Sequence, residues 1–326
     1  MNKDDVLQEI LNSPLISSWH WFQWHFLHQL NGEYHSFSDA IVTAIADVDE
    51  KIPGYAQETI RSLTTVSGKE KHLPHYEQLL QLLAELHVIR QAVNYNWPHL
   101  EGFDYEPTAS GSNKNPEISV RYSGIEVGIE VKSPSLITHI NNRSTNPTQL
   151  VGRVIDKEAI DDLPDSKAGI TLPRDNPLKD FLISANEKFQ SFKEDRSHFF
   201  GVLIIVWDDF IYEPISALVH PNGGLFTDES FFTDSEGNPV KFPNIDGVIV
   251  IRHMHQLMRA SRDEPLQDNC RGPFDYGIDG EFPQKALIMN PLSSGLPKDV
   301  TKAFQAYTPS HELGTEYTPK DIVWWL

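Results

Sequence analysis

The chain has 326 residues, 46 acidic against 27 basic, and a formal net charge of −19 with its histidines neutral. Hydrophobic residues at 39% and charged residues at 22% are the proportions of a globular protein that buries a core, in one large domain or two ordinary ones, and they exclude a disordered polyelectrolyte. The longest apolar run, Phe199 to Trp207, is far below the ~20 residues of a membrane helix, the polar start Met1-Asn2-Lys3-Asp4-Asp5 lacks a signal-peptide layout, and the lone Cys270 excludes a disulfide framework or Cys-rich zinc module. A cytoplasmic protein that works with oxygen and nitrogen groups is expected.

Residues 1 to about 65 read as helical. An aromatic-rich segment, Trp19, Trp21, Phe22, Trp24, Phe26 and Leu27, is expected to pack as core. His20, His25 and His28 lie among these rings, but on one ideal helix they point about 0°, 140° and 80° around the axis and do not converge on a metal. The breaker-rich stretch Ser67 to Pro74 then opens an amphipathic helix, in which Leu79, Leu82, Leu83, Leu86, Ile89 and Val93 recur at three- and four-residue spacing. Glu85 sits at the edge of that stripe, where a carboxylate either snorkels to water or points into a cleft. Pro98 closes this region, and Gly102 to Glu106 reads as a short strand.

The next segment alternates strictly between apolar and polar residues on either side of a Ser123-Gly124 turn, the pattern of a β-hairpin. With a two-residue loop there, Tyr122 pairs with Ile125, Val120 with Val127, Ile118 with Ile129, Arg121 with Glu126 and Glu117 with Glu130. Directly opposed residues have Cβ atoms about 4.5 to 5.5 Å apart, so Glu117 and Glu130 repel unless positive charge lies between them. Lys132 projects from the same face as Glu130. Two opposed carboxylates and one ammonium form a cradle for a hard divalent cation and a water. Arg121 opposite Glu126 reads as a surface ion pair.

Pro134 ends the hairpin, and about 40 largely polar residues follow, an interval long enough to be functional, to be disordered or to hide a helix. Asp175-Asn176-Pro177 supplies a cap and first-turn proline for a helix carrying Leu178, Phe181, Leu182, Ala185, Phe189 and Phe192. The continuous apolar run Phe199 to Trp207 reads as a strand buried on both faces, parallel and central. Gly247 to Ile251 is a further strand, followed by a helix from about His255 to Arg262, and His253-Met254-His255 is read as surface. Residues 263–283 read as loop. The apolar end, Ile322-Val323-Trp324-Trp325-Leu326, is expected to dock on the body.

Pro116-Glu117, a gap of twelve residues, then Glu130-Val131-Lys132 resembles the PD-(D/E)xK signature of restriction-endonuclease-like nucleases. The surrounding order of helix, three-stranded meander, helix and buried strand is similar to that family's core over roughly residues 75–210. The resemblance implies an α/β protein with a restriction-endonuclease-like αβββαβ core and a mixed sheet. It divides the chain into a helical N-terminal region (1–70), the core (71–262) and a C-terminal extension packed on the core (263–326). It further implies a Mg2+-dependent endonuclease that hydrolyses DNA phosphodiester bonds, in restriction, phage defence or repair, with Mn2+ able to substitute. Carried onto this sequence, Glu117, Glu130 and the backbone carbonyl of Val131 would ligate the ion. Lys132 would orient the attacking water and stabilise charge on the phosphate, and Glu85 would bind a second ion or orient metal-bound water. On the following helix, Asn186, Lys188 and Gln190 are candidates for contacting DNA.

Glu117 departs from the family's usual Asp. The competing reading is a catalytically degenerate nuclease fold kept as an interaction or nucleic-acid-binding module in a larger complex. The motif separates neither DNA from RNA nor a homodimer from a larger assembly. Residues 1–129, 130–196 and 197–326 carry net charges of −9, −1 and −9, so a phosphate backbone is expected to meet the middle stretch. A Gly-x-Ser-x-Gly elbow, a phosphate-binding Gly-Lys-Ser/Thr loop, a dinucleotide glycine fingerprint and a His-Glu-x-x-His pair are all absent from the sequence.

Overall fold

In the computed structural model, which describes residues 1–110, 112–146, 148–150, 162, 169–171, 176–320 and 324–325, the chain is a mixed α/β protein built on a seven-stranded sheet. Five helices come first: α1 (Lys3–Leu11), α2 (Pro14–Ser17), α3 (Gln23–Leu30), α4 (Ser36–Lys51) and α5 (Tyr55–Thr64). The long helix α6 (Leu73–Asn94) follows, with Pro74 in its first turn and the expected stripe buried except for the half-buried Leu82. Then come β1 (Leu100–Tyr105), β2 (Ile118–Tyr122) and β3 (Ile125–Lys132), an antiparallel meander. The β2–β3 register is the one the Ser123-Gly124 turn dictates, from Tyr122 opposite Ile125 to Ile118 opposite Ile129.

The interval after Pro134 contains a helix, α7 (Ile137–Thr145), and two short strands, β4 (Thr148–Leu150) and β5 (Ile170–Thr171). The expected capping residue Asp175 lies outside the described residues. Helix α8 (Asn176–Asp195) leads into β6 (Phe199–Trp207), which pairs in parallel with β3 on one side and with β7 (Gly247–Arg252) on the other. Between β6 and β7 lies α9 (Tyr212–Val219), and after β7 comes α10 (Met254–Ala260). The stretch after residue 263 supplies two more strands, β8 (Lys285–Met289), antiparallel to β7, and β9 (Ala306–Tyr307), with α11 (Lys298–Ala303) between them. The sheet order is β1-β2-β3-β6-β7-β8-β9. Trp324–Trp325 forms β10 and pairs with β4, while Ile322, Val323 and Leu326 lie outside the described residues.

The unbroken apolar run of β6 follows from its central place. Val202, Ile204 and Val206 join a core that includes α4 and α6, whereas Leu203, Ile205 and Trp207 join a second core made with α8 and α9. Both faces are covered, so alternation disappears. Strand β3 lies differently, because Val127, Ile129 and Val131 face the α6 side and leave Gly128, Glu130 and Lys132 to the α8 side.

Gly128 and Gly201 are register partners on β3 and β6. A Cβ on Gly128 would stand 2.4 Å from the Phe199 ring, and one on Gly201 would stand 2.5 Å from the Phe189 ring and 2.6 Å from the Asn244 carbonyl. The pair is therefore a slot into which α8 presses Phe189.

Three expectations need correction. Of the aromatic-rich segment, Phe22 and Phe26 are buried in the core, whereas Trp19 and Trp24 are exposed. His253, Met254 and His255 are buried rather than superficial, because α10 packs beneath α6 and the His253 ring stacks on that of His87 at 3.8 Å. Arg121 and Glu126 face each other across the hairpin but pair elsewhere. Arg121 donates to Asp104 on β1 at 2.9 Å, and Glu126 is held by Arg196. Among the described residues, no helix is long and apolar enough to cross a membrane.

Candidate active site

Glu117 stands one residue before β2, where its carbonyl accepts from the Glu106 N–H at 2.9 Å and carries the β1–β2 ladder one step further. Glu130 lies near the end of β3 with no exposed surface. Its carboxylate is gripped twice: Lys132 Nζ lies 2.6 Å from Oε1, and Lys188 Nζ lies 2.7 Å from Oε1 and 2.9 Å from Oε2. Lys188 Nζ is also 3.3 Å from Glu117 Oε1. The positive charge that two opposed carboxylates require is thus supplied by an ammonium from α8, and it spans the pair. Its placement follows from the glycine slot, since the next residue, Phe189, is the one seated there.

Glu85 resolves as the cleft alternative. From α6 its carboxylate looks into an opening of about 430 Å³ lined also by Glu117, Val131, Lys132, Gln81 and Phe181. Tyr105 Oη donates to Glu85 Oε1 over a long 3.5 Å. Glu106, exposed and with φ at +44°, adds a fourth carboxyl side chain within electrostatic reach of Glu85, Glu117 and Lys188.

The electrostatics follow from that imbalance. Burial pushes the Glu130 carboxyl above the usual range, Glu117 pushes it further, and Lys132 and Lys188 oppose. Glu85 is held well above its ordinary value, first by desolvation and then by Glu117, Glu130 and Glu106. Glu106 is raised by burial and by Glu117. For Lys188, burial alone would lower the pKa, but Glu130 and Glu117 outweigh it and keep the ammonium charged. The phenols of Tyr105 and Tyr55 are raised by burial and by Glu85, so both remain protonated donors at neutral pH. A site with surplus buried carboxylate and only oxygen donors is suited to a hard divalent cation.

The remaining candidates on α8 do not join this group. Asn186 braces α8 against the segment before β7: its Oδ1 accepts from the Asn244 N–H at 2.9 Å, and its carbonyl accepts from Asn244 Nδ2 at 3.1 Å. Gln190 is exposed and donates to Glu194 Oε1 at 2.9 Å. Lys188 alone of the three lies in the site, and it contacts carboxylates there. Glu106 and Tyr105 were missed at the sequence level. A β1–β2 register would have placed Glu106 opposite Glu117, but the loop from residue 107 to 116, although it contains Ser110-Gly111, is too long for a dipeptide to fix that register. Comparison with known proteins finds no matching family model, no matching curated protein and no matching solved structure.

Proposed function

We propose that this chain is a metal-dependent nuclease of the restriction-endonuclease-like type, hydrolysing phosphodiester bonds in DNA. The observation that carries the reading is the meeting of Glu117, Glu130 and Lys132 at one cleft, with Glu85 looking into it from α6. The order α6, β1–β2–β3, α8, β6, with β6 parallel to β3, supports a core of the αβββαβ kind.

The donor set fits Mg2+, with Mn2+ as substitute. The side-chain donors are carboxylate oxygens, and the Lys188 ammonium between Glu117 and Glu130 is a cation already standing where such an ion would sit. Glu117, Glu130 and the Val131 carbonyl would hold it, with Glu85 and Glu106 available to a second ion or its waters. When bound, the ion lowers the pKa of a coordinated water and neutralises charge developing at phosphorus. Lys132 brings a fixed ammonium to the mouth of the cleft, where it can orient that water and hydrogen-bond a phosphate oxygen. A second reading, a nuclease fold retained as a binding module, draws on one observation: Lys188 bridges the two carboxylates and supplies one of their two countercharges.

One assay separates the two. Plasmid, linear DNA and RNA are incubated with purified protein in Mg2+ or Mn2+. The nuclease reading expects cleavage that EDTA abolishes and that falls by about 10²- to 10⁴-fold in Glu130→Ala and Lys132→Ala. Equal activity in wild type and the double variant, or indifference to EDTA, rejects it; binding without cleavage supports the module.

A further inference from the structure

A second cluster, unused by the nuclease reading, pins the N-terminal helices to the far part of the chain. His25 on α3, His35 just before α4 and Asp263 just after α10 bring one donor atom each to a common point. His25 Nδ1 lies 3.4 Å from His35 Nε2, which lies 3.1 Å from Asp263 Oδ1, and His25 Nδ1 is 3.9 Å from Asp263 Oδ2. Ligands about 2.0 to 2.2 Å from a tetrahedral zinc ion stand about 3.3 to 3.6 Å from one another. The observed spacings of 3.1, 3.4 and 3.9 Å, the two histidines facing different oxygens of Asp263, bracket the edges of such a shell.

The surroundings orient the donors. His25 Nε2 donates to the Ser261 carbonyl at 3.1 Å, which keeps a proton on that nitrogen and turns the Nδ1 lone pair toward the cluster. Metal-bound histidines are held in this way by an outer carbonyl. Both imidazoles are buried among Trp24, Phe22 and Phe37, while Asp263 is partly exposed and leaves one side open to water. The ordinary helix geometry assumed for His20, His25 and His28 does not apply, since His20 precedes α3 and its ring is engaged with the Leu63 carbonyl.

We propose that His25 Nδ1, His35 Nε2 and Asp263 bind one divalent transition-metal ion of the zinc class, with a fourth position open to water. Two imidazoles and a carboxylate favour Zn2+, Co2+ or Ni2+ over the hard Mg2+ of the nuclease cleft. One local bond is given up: His35 Nδ1 now accepts from the Phe37 N–H at 3.3 Å, and it must take a proton when Nε2 takes the metal. That cap is a long hydrogen bond and is weak beside two nitrogen–metal bonds. The ion would fasten α3 and α4 to a segment 236 residues away in sequence, beside the Tyr76 Oη–Ser261 Oγ hydrogen bond of 2.5 Å that already reaches from α6.

The test is a Co2+ titration of the chelator-stripped full chain, read by visible absorption, because four-coordinate Co2+ absorbs intensely and octahedral Co2+ faintly. One equivalent should give the intense band, Zn2+ should displace it, and millimolar Mg2+ should not. The band should persist in Glu130→Gln, which keeps this site independent of the nuclease reading. Asp263→Asn, at a partly exposed position, and His25→Gln should each weaken Co2+ binding at least tenfold with the far-UV circular dichroism unchanged. A folded wild-type protein without the band, or a band equally strong in both variants, overturns the proposal.

Discussion

Glu130 is a carboxylate with no exposed surface, beside a second carboxylate and two ammoniums. Its raised pKa has a thermodynamic corollary. A carboxyl whose folded pKa exceeds its unfolded value binds more protons in the folded state, so its contribution to stability is complete below about 4.5 and declines as pH rises through the folded value. Gln mimics the protonated acid. In EDTA at pH 8, Glu130→Gln is therefore expected to melt no lower than wild type, with the difference closing as the pH approaches 4.5, and added Mg2+ should raise the melting temperature of wild type alone. Scanning calorimetry decides this, and a variant markedly less stable at pH 8 sinks it. Glu117, Glu130 and Lys132 were legible because a two-residue turn fixes which side chains oppose. Lys188 was legible only as a helix polar group near phosphate, since its true partners depend on how α8 is rotated against the sheet. That rotation is set by contacts sequence spacing does not contain.

Those contacts sit at the scale of elements. Gly128 and Gly201, paired across β3 and β6, leave the depth into which Phe189 fits, and the same seat aims Lys188 at Glu130. A methyl at Gly201 meets both the Phe189 ring and the Asn244 backbone carbonyl, and the carbonyl cannot rotate away. Gly201→Ala should destabilise the protein by about 1–3 kcal/mol, the usual cost of overpacking, measured as a shift in urea midpoint at constant slope. The same variant should also strengthen metal-dependent stabilisation, because α8 lifts and carries Lys188 away from the carboxylates it bridges. Elements with strong periodic or unbroken apolar signals were readable, as α6 and β6 show. Helix α7 was hidden because ITHINNRST carries too few apolar residues to mark a face, and α9 because its residues Tyr212 to Leu218 are buried all round, Glu213 and Ser216 included, and give no amphipathic pattern. Strand β8 is five residues whose pairing with β7 depends wholly on tertiary context.

For the whole molecule, histidine burial dominates the acid limb of stability. His20, His25 and His253 are each held down to about 4 by burial, His87 lies well below its ordinary range, and His255 is also lowered. A base whose folded pKa is depressed stabilises the fold fully above its unfolded value of 6.5, and that stability is lost as pH falls toward the folded value. His20, His25 and His253 each contribute a slope of up to about 1.4 kcal/mol per pH unit between pH 6.5 and 4, and His87 and His255 add to it in the same direction. Glu85, Glu106 and Glu130 act in the opposite sense, but five histidines outnumber three carboxyls. Urea unfolding should therefore show lower stability at pH 5 than at pH 7, and an equal or higher midpoint at pH 5 contradicts this account. The sequence marked the N-terminal histidines as lying among aromatics, but it could not show how many are sealed from water, because His87 and His253 are stacked by the docking of α10 on α6.

If the cleft binds a cation as proposed, the bridge from Lys188 to Glu117 and Glu130 makes the chain a tethered inhibitor of that site. Any ion entering between those carboxylates must first find the ammonium swung aside. Its apparent dissociation constant is the intrinsic one divided by the fraction of molecules with the bridge open, so a bridge open in about one molecule in a hundred weakens binding about a hundredfold. A monovalent ion gains little from the exchange, since it brings only the charge Lys188 already supplies, whereas a divalent ion adds one. On the proposed reading, selectivity for doubly charged ions comes from the competitor as much as from the cage. Lys188→Met should bind Mn2+ more tightly than wild type in an isothermal titration, and weaker binding by that variant would show Lys188 to be a support of the site rather than its rival.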